Sequence, residues 1–267
     1  MRDSFSCVRI STPSGAETLP DASPRAGSKV VPLSPSADRP IPVRRIHWKS
    51  AVRIIPSVFP PADLFKRVAA ASDLDAVHSI ESAFNPRLVG HGTLGRDERL
   101  TGPGSGYIMA AFTHVSPDGS RFSNGTFGVF YAAQREAVAI AETRYHRERF
   151  MLATREAPCE LDMRVLSVTV KAPLHDLRGM RAILPDVYRL ADYSASQLLG
   201  GVLRAGGSTG VVYDSVRLEG GRCAGVFRPR ALSQCRERKH LRYVWDGSSI
   251  TSVLEIKRLP ARPRRRS

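Results

Sequence analysis

The order of the predicted secondary-structure elements is the feature that most constrains the fold of this chain. Strands dominate between residues 126 and 259, and helices interrupt them without a regular strand–helix–strand rhythm. A doubly wound parallel sheet needs that rhythm, because each parallel crossover uses a helix. The order therefore predicts an α+β core of mostly antiparallel sheets with the helices packed outside.

Apolar periodicity and turn residues assign the individual elements. Helices are predicted where apolar residues recur at helical spacing, and strands where they alternate or form short runs bounded by glycine and proline. The predicted helices are 61–71, 74–84, 134–149 and 193–205. The predicted strands are 106–115, 126–133, 159–172, 209–216, 222–229, 238–247 and 248–259. The alternation of 159–172 breaks near Leu166, and the last two strands are predicted to form a hairpin.

Composition divides the 267 residues into three parts. Residues 1–45 are rich in serine, proline, alanine and glycine without a sustained apolar period, which predicts a disordered extension or a start assigned too far upstream. Residues 46–259 are predicted to form one domain that includes an N-terminal helical part. Residues 260–267 contain four arginines, which predicts a basic disordered tail.

The formal net charge of +15 is compatible with two kinds of partner. A basic surface favours nucleic acid, and a site for a diphosphate-bearing ligand also needs local positive charge. Part of the charge lies in the terminal segments, and no helix-turn-helix, RNA-recognition or zinc-finger pattern accompanies it. We therefore expect no direct nucleic-acid partner, and a basic nucleic-acid-binding module is the alternative.

The sequence lacks the usual signatures of membrane, secreted and metal-binding proteins. No apolar run reaches the roughly 18 residues of a membrane span, so no membrane partner is expected. The N-terminus lacks the apolar core of a secretory signal, so we expect a cytoplasmic protein. The four cysteines show no C-x-x-C or Cys/His spacing, which predicts reduced thiols and no metal site.

Four residues of the chain could split a dinucleotide. Arg121 precedes a glycine-bearing turn, and Tyr131 lies near the end of the strand that follows. Glu142 lies on the next helix among apolar neighbours, and Ser215 follows a later strand. A guanidinium binds phosphate in a fork, and an aromatic face accepts a planar base. A carboxylate can stabilise the positive charge that develops as a ribosyl–nitrogen bond breaks.

Structural roles stay open for the same residues on this evidence alone. Arg121 could form a surface ion pair, Tyr131 could be a core aromatic, and Ser215 could form a turn. Glu142 could pair with one of three nearby arginines, Arg144, Arg147 or Arg149.

The segments SRFSNGTFGVFYAA, AIAETRYHRERF and YDSVRLEGG resemble the RES family. The segments PPADLFKRVA, FNPRL and GPGSGYIMAAFTH resemble its longer subtype, so the resemblance covers roughly residues 54–255. Members of this family are bacterial proteins that destroy NAD, often toxins paired with an Xre-type helix-turn-helix antitoxin. The resemblance implies an ADP-ribosyltransferase-like core of two small, mostly antiparallel sheets with surrounding helices, which form a cleft for NAD.

The resemblance also implies roles for the four residues. Arg121 would bind the diphosphate or the nicotinamide ribose, and Tyr131 would stack on nicotinamide. Glu142 would stabilise an oxocarbenium-like transition state. Ser215 would line the pocket and position the ribose or the glutamate, and no G-x-S-x-G elbow marks it as a nucleophile.

Three neighbours complete the predicted site. Phe122 stands where some relatives carry a tyrosine or tryptophan, which leaves it a stacking or wall role. His146 lies four residues after Glu142 and could orient it. Arg217 could add a phosphate contact.

The expected activity is that of an NAD glycohydrolase or NAD phosphorylase, which passes ADP-ribose to water or phosphate. A protein ADP-ribosyltransferase is the variant within the same class, because every acceptor would use the same bond-breaking residues. An antitoxin is the expected protein partner. The sequence does not distinguish a monomer from a homo-oligomer.

Overall fold

Seven strands and three α-helices make up the described part of the chain, residues 40–57 and 98–257 of a computed structural model. The strands are β1 (Val43–Pro56), β2 (Phe130–Ala133), β3 (Cys159–Asp176), β4 (Gly210–Asp214), β5 (Arg222–Val226), β6 (Leu232–Trp245) and β7 (Ile250–Ile256). The helices are α1 (Ser105–Thr113), α2 (Glu136–Thr154) and α3 (Ser194–Ala205), with 3-10 turns at Pro185–Tyr188 and Pro229–Ala231. The predicted α+β class is confirmed.

All seven strands belong to one mixed sheet with the order β1-β2-β5-β4-β3-β6-β7. Every pairing is antiparallel except that of β3 with β4, which is parallel and joins His175 to Val211 and Asp176 to Val212. The predicted terminal hairpin is confirmed, because β6 and β7 pair antiparallel from His240 to Trp245.

The expectation of two small separate sheets is corrected by this single hydrogen-bonded sheet. The cause is the length of β3, which has 18 residues. It pairs with β1 over Met163–His175, with β6 over Cys159–Val170 and with β4 at its end. Because β1 pairs with both β2 and β3, the two groups of strands stay connected on both sides.

The sheet buries apolar side chains on both faces. α2 and α3 pack against one face, while α1 packs against the other. In β3 the side chains of Met163 and Val165 belong to the first face, whereas Leu166, Val168 and Val170 belong to the second. A register shift against β6 falls between Val165 and Leu166. A bulge reverses the faces of all later residues, which explains the predicted irregularity near Leu166.

The strand predicted over 106–115 is wrong, because this segment is the helix α1. Ile108 and Phe112, four residues apart, are both buried against the sheet, as helical spacing requires. Gly104 precedes the helix with a φ of 76° in the left-handed region. A short apolar run bounded by glycine fits either element, and contact with the sheet decided between them.

Several boundaries also differ from the predictions. The strand predicted from residue 126 begins at Phe130, and the helix predicted to end at residue 149 extends to Thr154. β1 begins at Val43, slightly before the predicted domain start. The helices predicted over 61–71 and 74–84 lie outside the described residues, as do residues 1–39 and the basic tail. Among residues 40–57 and 98–257, no helix is both long and apolar enough to cross a membrane.

Candidate active site

Tyr131 holds the loop that carries Arg121. Its hydroxyl oxygen accepts a hydrogen bond from the backbone N–H of Phe122 at 2.9 Å and lies 2.8 Å from the hydroxyl of Ser120. Burial raises the pKa of Tyr131 to about 12, so the hydroxyl stays neutral. The loop residues on both sides of Arg121 are therefore tied to β2.

Helix α3 also packs against the loop that carries Arg121. The side-chain amide of Gln197 donates to the backbone oxygen of Ser120 at 3.1 Å. A Cβ atom at Gly200 would lie 2.0 Å from the backbone oxygen of Phe122, so only glycine allows this approach. Arg121 is thus presented by a loop clamped between a strand and a helix.

The guanidinium of Arg121 is buried, with 7% of the residue exposed. Its Nη1 donates to the backbone oxygens of Val187 at 3.2 Å and Arg189 at 3.1 Å. It lies 4.5 Å above the ring centre of Tyr193. Among the described residues Nη2 has no hydrogen-bond partner, although it is buried. This cation therefore keeps an unused donor inside the site.

Phe122 lies in the core behind Arg121. It is 1% exposed, and its ring meets that of Tyr213 edge to face with 5.0 Å between the ring centres. Phe122 thus packs against β4, and its stacking or wall role beside a ligand stays a prediction.

Glu142 and Ser215 are brought together although 73 residues separate them. The Ser215 hydroxyl donates to Glu142 Oε1 at 2.6 Å. Within the described chain Glu142 forms no ion pair, and Arg144 pairs instead with Glu148 at 3.0 Å. The thiol of Cys223 lies 3.9 Å from the same carboxylate oxygen. The half-buried carboxylate on α2 is thus held by a hydroxyl and not by a cation.

Ser215 owes its orientation to the turn that follows β4. Its Oγ accepts hydrogen bonds from the backbone N–H groups of Arg217 and Leu218, both at 3.1 Å. A Cβ at Gly221 would lie 3.0 Å from the Ser215 Cβ and 2.8 Å from the Leu218 oxygen, so the turn closes tightly at this glycine. Because the other two contacts use oxygen lone pairs, the hydroxyl proton points to Glu142.

Arg217 follows Ser215 by two residues and contacts the same segment as Arg121. Its guanidinium stacks 3.2 Å from the ring centre of Tyr145 on α2. Nη2 donates to the backbone oxygen of Leu190 and to the hydroxyl of Tyr193, the latter at 3.5 Å. Nε is buried without a partner among the described residues. Among the described residues, the hydrogen bonds of Arg217, like those of Arg121, go to neutral oxygens.

His146 reaches the surface beside these arginines. Its ring lies 5.4 Å from that of Tyr145, edge to face. Desolvation by the surrounding side chains lowers the pKa of His146 to about 4, and four positive charges reinforce the shift, those of Arg217, Arg121, Arg149 and Arg147. No hydrogen bond joins His146 to Glu142 in the described structure, so their spacing along α2 does not bring them into direct contact.

A groove of about 380 Å³ runs along α2 beside the site. It is lined by small and apolar residues at its base and by charged and aromatic residues at its rim, namely Ala137, Ile140, Ala141, Arg144, Tyr145, Glu148 and Arg217. The stacked pair of Tyr145 and Arg217 separates it from the hydroxyl of Tyr193.

Sequence reasoning missed the residues that surround the two arginines. Both arginines contact residues that the sequence did not single out, namely Tyr193, Tyr145 and the backbone oxygens of Val187, Arg189 and Leu190. Backbone oxygens have no sequence signature. Gly200 was the one visible signal, since glycine inside a predicted helix indicates close packing.

A metal site is not formed by the described residues, since no group of three or more His, Cys, Asp or Glu side chains converges there. Cys159 is exposed, while Cys223 and Cys235 are buried, and all three are free thiols.

Comparison with known proteins assigns the family. The model of the RES domain matches residues 97–246, so this protein belongs to the RES domain family. An uncharacterized protein of Sinorhizobium fredii, y4oC, is 31% identical over 205 residues, which cover 74% of this chain and 84% of that protein. A solved structure, the M. tuberculosis MbcT–MbcA toxin–antitoxin complex, aligns with a TM-score of 0.41 and 13% identity. That alignment covers 74% of this chain and 86% of the other.

Proposed function

We propose that this protein is an NAD-consuming enzyme that cleaves the bond between nicotinamide and ribose and passes ADP-ribose to water or phosphate. Membership of the RES family supports the substrate class. The observation that carries the proposal is the 2.6 Å hydrogen bond from Ser215 to Glu142, beside two guanidiniums with unused donors. A fixed carboxylate and two cations are what a positively charged sugar and a diphosphate require.

Glu142 would act on the sugar. As the ribosyl–nitrogen bond breaks, its electron pair leaves with neutral nicotinamide, and positive charge develops on the ribose. The carboxylate of Glu142 stabilises that charge most strongly in the transition state, which raises the rate more than it tightens binding. An oxygen of water or phosphate then bonds to the same carbon, and water gives up one proton. The products are nicotinamide and ADP-ribose or its phosphorylated form.

Ser215 would be a positioning residue. Its hydroxyl proton is committed to Glu142, and both backbone N–H contacts keep its oxygen in place. The serine therefore keeps Glu142 oriented, and no nucleophilic role is needed.

Arg121 and Arg217 would bind the diphosphate. Each holds one buried nitrogen without a partner in the described structure, and a phosphate oxygen would accept from it. Desolvation lowers the pKa of His146 to about 4, and the positive charges of these arginines add to the shift. His146 is therefore neutral at neutral pH and available to donate or accept one hydrogen bond at the rim. Tyr131 would stack on nicotinamide, as predicted from the family resemblance.

The test is product analysis with the purified protein. Incubation with NAD should release nicotinamide and ADP-ribose in phosphate-free buffer, and phosphorylated ADP-ribose should appear when phosphate is added. Absence of nicotinamide release in both buffers contradicts the proposal. Removal of residues 260–267 should leave NAD turnover unchanged, whereas a strong loss of nucleic-acid affinity without any turnover would favour the basic nucleic-acid-binding module.

A protein inhibitor completes the proposal, because an enzyme that drains NAD in the cytoplasm harms its own cell. The basic segment Arg144–Arg149 and the turn after Ser215 suit an acidic surface of an Xre-type antitoxin. Expression of this chain alone should arrest growth, and coexpression with a helix-turn-helix protein from the adjacent reading frame should restore it. Unchanged growth and unchanged NAD at high expression would exclude the toxin role.

A further inference from the structure

A short segment between the 3-10 turn and α3 covers both arginines of the site. The backbone oxygen of Arg189 accepts from Arg121 at 3.1 Å, and that of Leu190 accepts from Arg217. Tyr193 stacks its ring under Arg121 and offers its hydroxyl oxygen to Arg217. We call residues 189–193 the strap. It contacts both cations of the proposed diphosphate site.

The strap leaves some hydrogen-bond donors of Arg121 and Arg217 without an acceptor. Both guanidiniums meet neutral oxygens from it, and each keeps one buried nitrogen without a partner among the described residues, Arg121 Nη2 and Arg217 Nε. Hydrogen bonds from a guanidinium to an anion are roughly twice as strong as those between neutral groups. A diphosphate would supply negative charge that the carbonyl groups lack. The arginines therefore prefer a diphosphate to the strap.

The strap is also more exposed and more weakly held than the residues that precede it. Side chains of Arg189 and Leu190 are largely exposed, at 58% and 57%, whereas the preceding Val187 and Tyr188 are 7% and 6% exposed. Arg189 forms two surface ion pairs, with Asp186 outside the strap at 2.8 Å and with Asp192 inside it at 3.2 Å. Exposed pairs of this kind contribute little to stability. The anchored residues can stay in the core while the strap swings away.

We infer that the strap is an autoinhibitory element, in which backbone carbonyl groups occupy Arg121 and Arg217 until the diphosphate of the substrate displaces them. This inference rests on the proposed function for the identity of the substrate. The closed and open forms are two states in equilibrium, and the apparent affinity for substrate is reduced by the fraction that is closed.

Hydrogen exchange with inorganic pyrophosphate as the probe tests the displacement directly. Pyrophosphate should accelerate amide exchange within residues 189–193 and leave exchange in β3 unchanged. Slower exchange in the strap would mean that it closes over the ligand, and unchanged exchange at saturating pyrophosphate would mean that it is inert. Either result overturns the inference.

A pair of variants at one exposed position separates backbone freedom from side-chain effects. Leu190→Gly and Leu190→Ala both remove the same exposed side chain, but only glycine adds freedom to the open strap. Leu190→Gly should lower the pyrophosphate concentration at half effect about two- to fivefold, while Leu190→Ala should stay close to wild type. Equal behaviour of the two variants would contradict the inference.

Nicotinamide release from NAD, measured on the same samples, distinguishes the two proposals. If nicotinamide is released but the strap does not respond to pyrophosphate, the autoinhibition inference is contradicted and the proposed enzyme activity is kept. If the strap responds to pyrophosphate but the protein does not turn over NAD, displacement of the strap is supported and NAD as the substrate is contradicted.

Discussion

The two sides of the candidate site are built differently. On one side, Glu142 and Ser215 join α2 to the end of β4, and Ser215 is only 4% exposed. On the other side, the strap is more than half exposed at Arg189 and Leu190 and is held by surface ion pairs. The carboxylate proposed to act on the sugar is thus fixed, while the oxygens that contact Arg121 and Arg217 belong to an exposed segment.

This contrast has a physical reason. Stabilising a developing charge requires groups that need no reorganisation during the reaction, and packed strands and helices provide that rigidity. Ligand entry requires a segment of low local stability, since a fully packed cover could not open. The strap meets this need because its side chains bury little apolar surface.

Replacement of Glu142 should give the largest effect. Glu142→Gln keeps the shape of the side chain and removes its charge, so turnover should fall about 10²–10³-fold with little change in NAD binding. Nicotinamide release and equilibrium binding measure the two quantities. Glu160→Gln, which removes an exposed carboxylate paired with Arg242, is the matched control and should retain activity. Equal losses of thermal stability and activity in Glu142→Gln would identify a structural role instead.

Replacement of Arg121 should affect binding as well as turnover. The proposed phosphate contact exists before the bond breaks, so Arg121→Ala should weaken NAD binding by about tenfold to a hundredfold. Arg121→Lys should recover only part of the affinity, because an ammonium group cannot reproduce the planar fork. Thermal unfolding must be followed in parallel, since Arg121 also binds two backbone oxygens. Full affinity in the lysine variant would show that only a point charge is needed.

Two neighbouring glycines of α3 test the clamp on the Arg121 loop. Gly200→Ala places a Cβ 2.0 Å from the Phe122 oxygen, so the free energy of unfolding should fall by about 1–3 kcal/mol. A Cβ at Gly201 meets no atom within 4 Å, so Gly201→Ala should raise it by up to about 1 kcal/mol. Chemical denaturation checks both values. Similar changes for the two variants would show that the close approach does not constrain the loop.

A pH effect at His146 is the smallest of these predictions. The folded protein lowers the pKa of His146 from 6.5 to about 4, so between these values the unfolded chain binds the proton more readily. Stability should therefore be complete above about pH 6.5 and fall as the pH drops toward 4. His146→Gln should reduce this fall, as measured by melting temperatures at both ends of the window. Parallel curves for variant and wild type would show that folding does not lower the pKa of His146.

Much of the fold followed from local pattern. Alternation in 159–172 indicated β3 and its irregularity, and the hairpin of β6 and β7 was confirmed. The strand predicted over 106–115 was wrong, because a short apolar run fits either a strand or a helix. Its packing against the sheet favours the helix. The prediction of two sheets was wrong, because strands that are distant in sequence pair with β3 and form one sheet.

The sequence by itself determined which residues could carry the chemistry, since arginine, tyrosine, glutamate and serine are recognisable by type and order. It also determined the α+β class, because the order of strands and helices is a local property. Only the tertiary structure decided how these residues are used: Glu142 is held by Ser215, Tyr131 holds the Arg121 loop, and the strap covers both arginines. These contacts join distant positions, and several use backbone atoms, which every residue carries alike and which no sequence pattern can therefore distinguish.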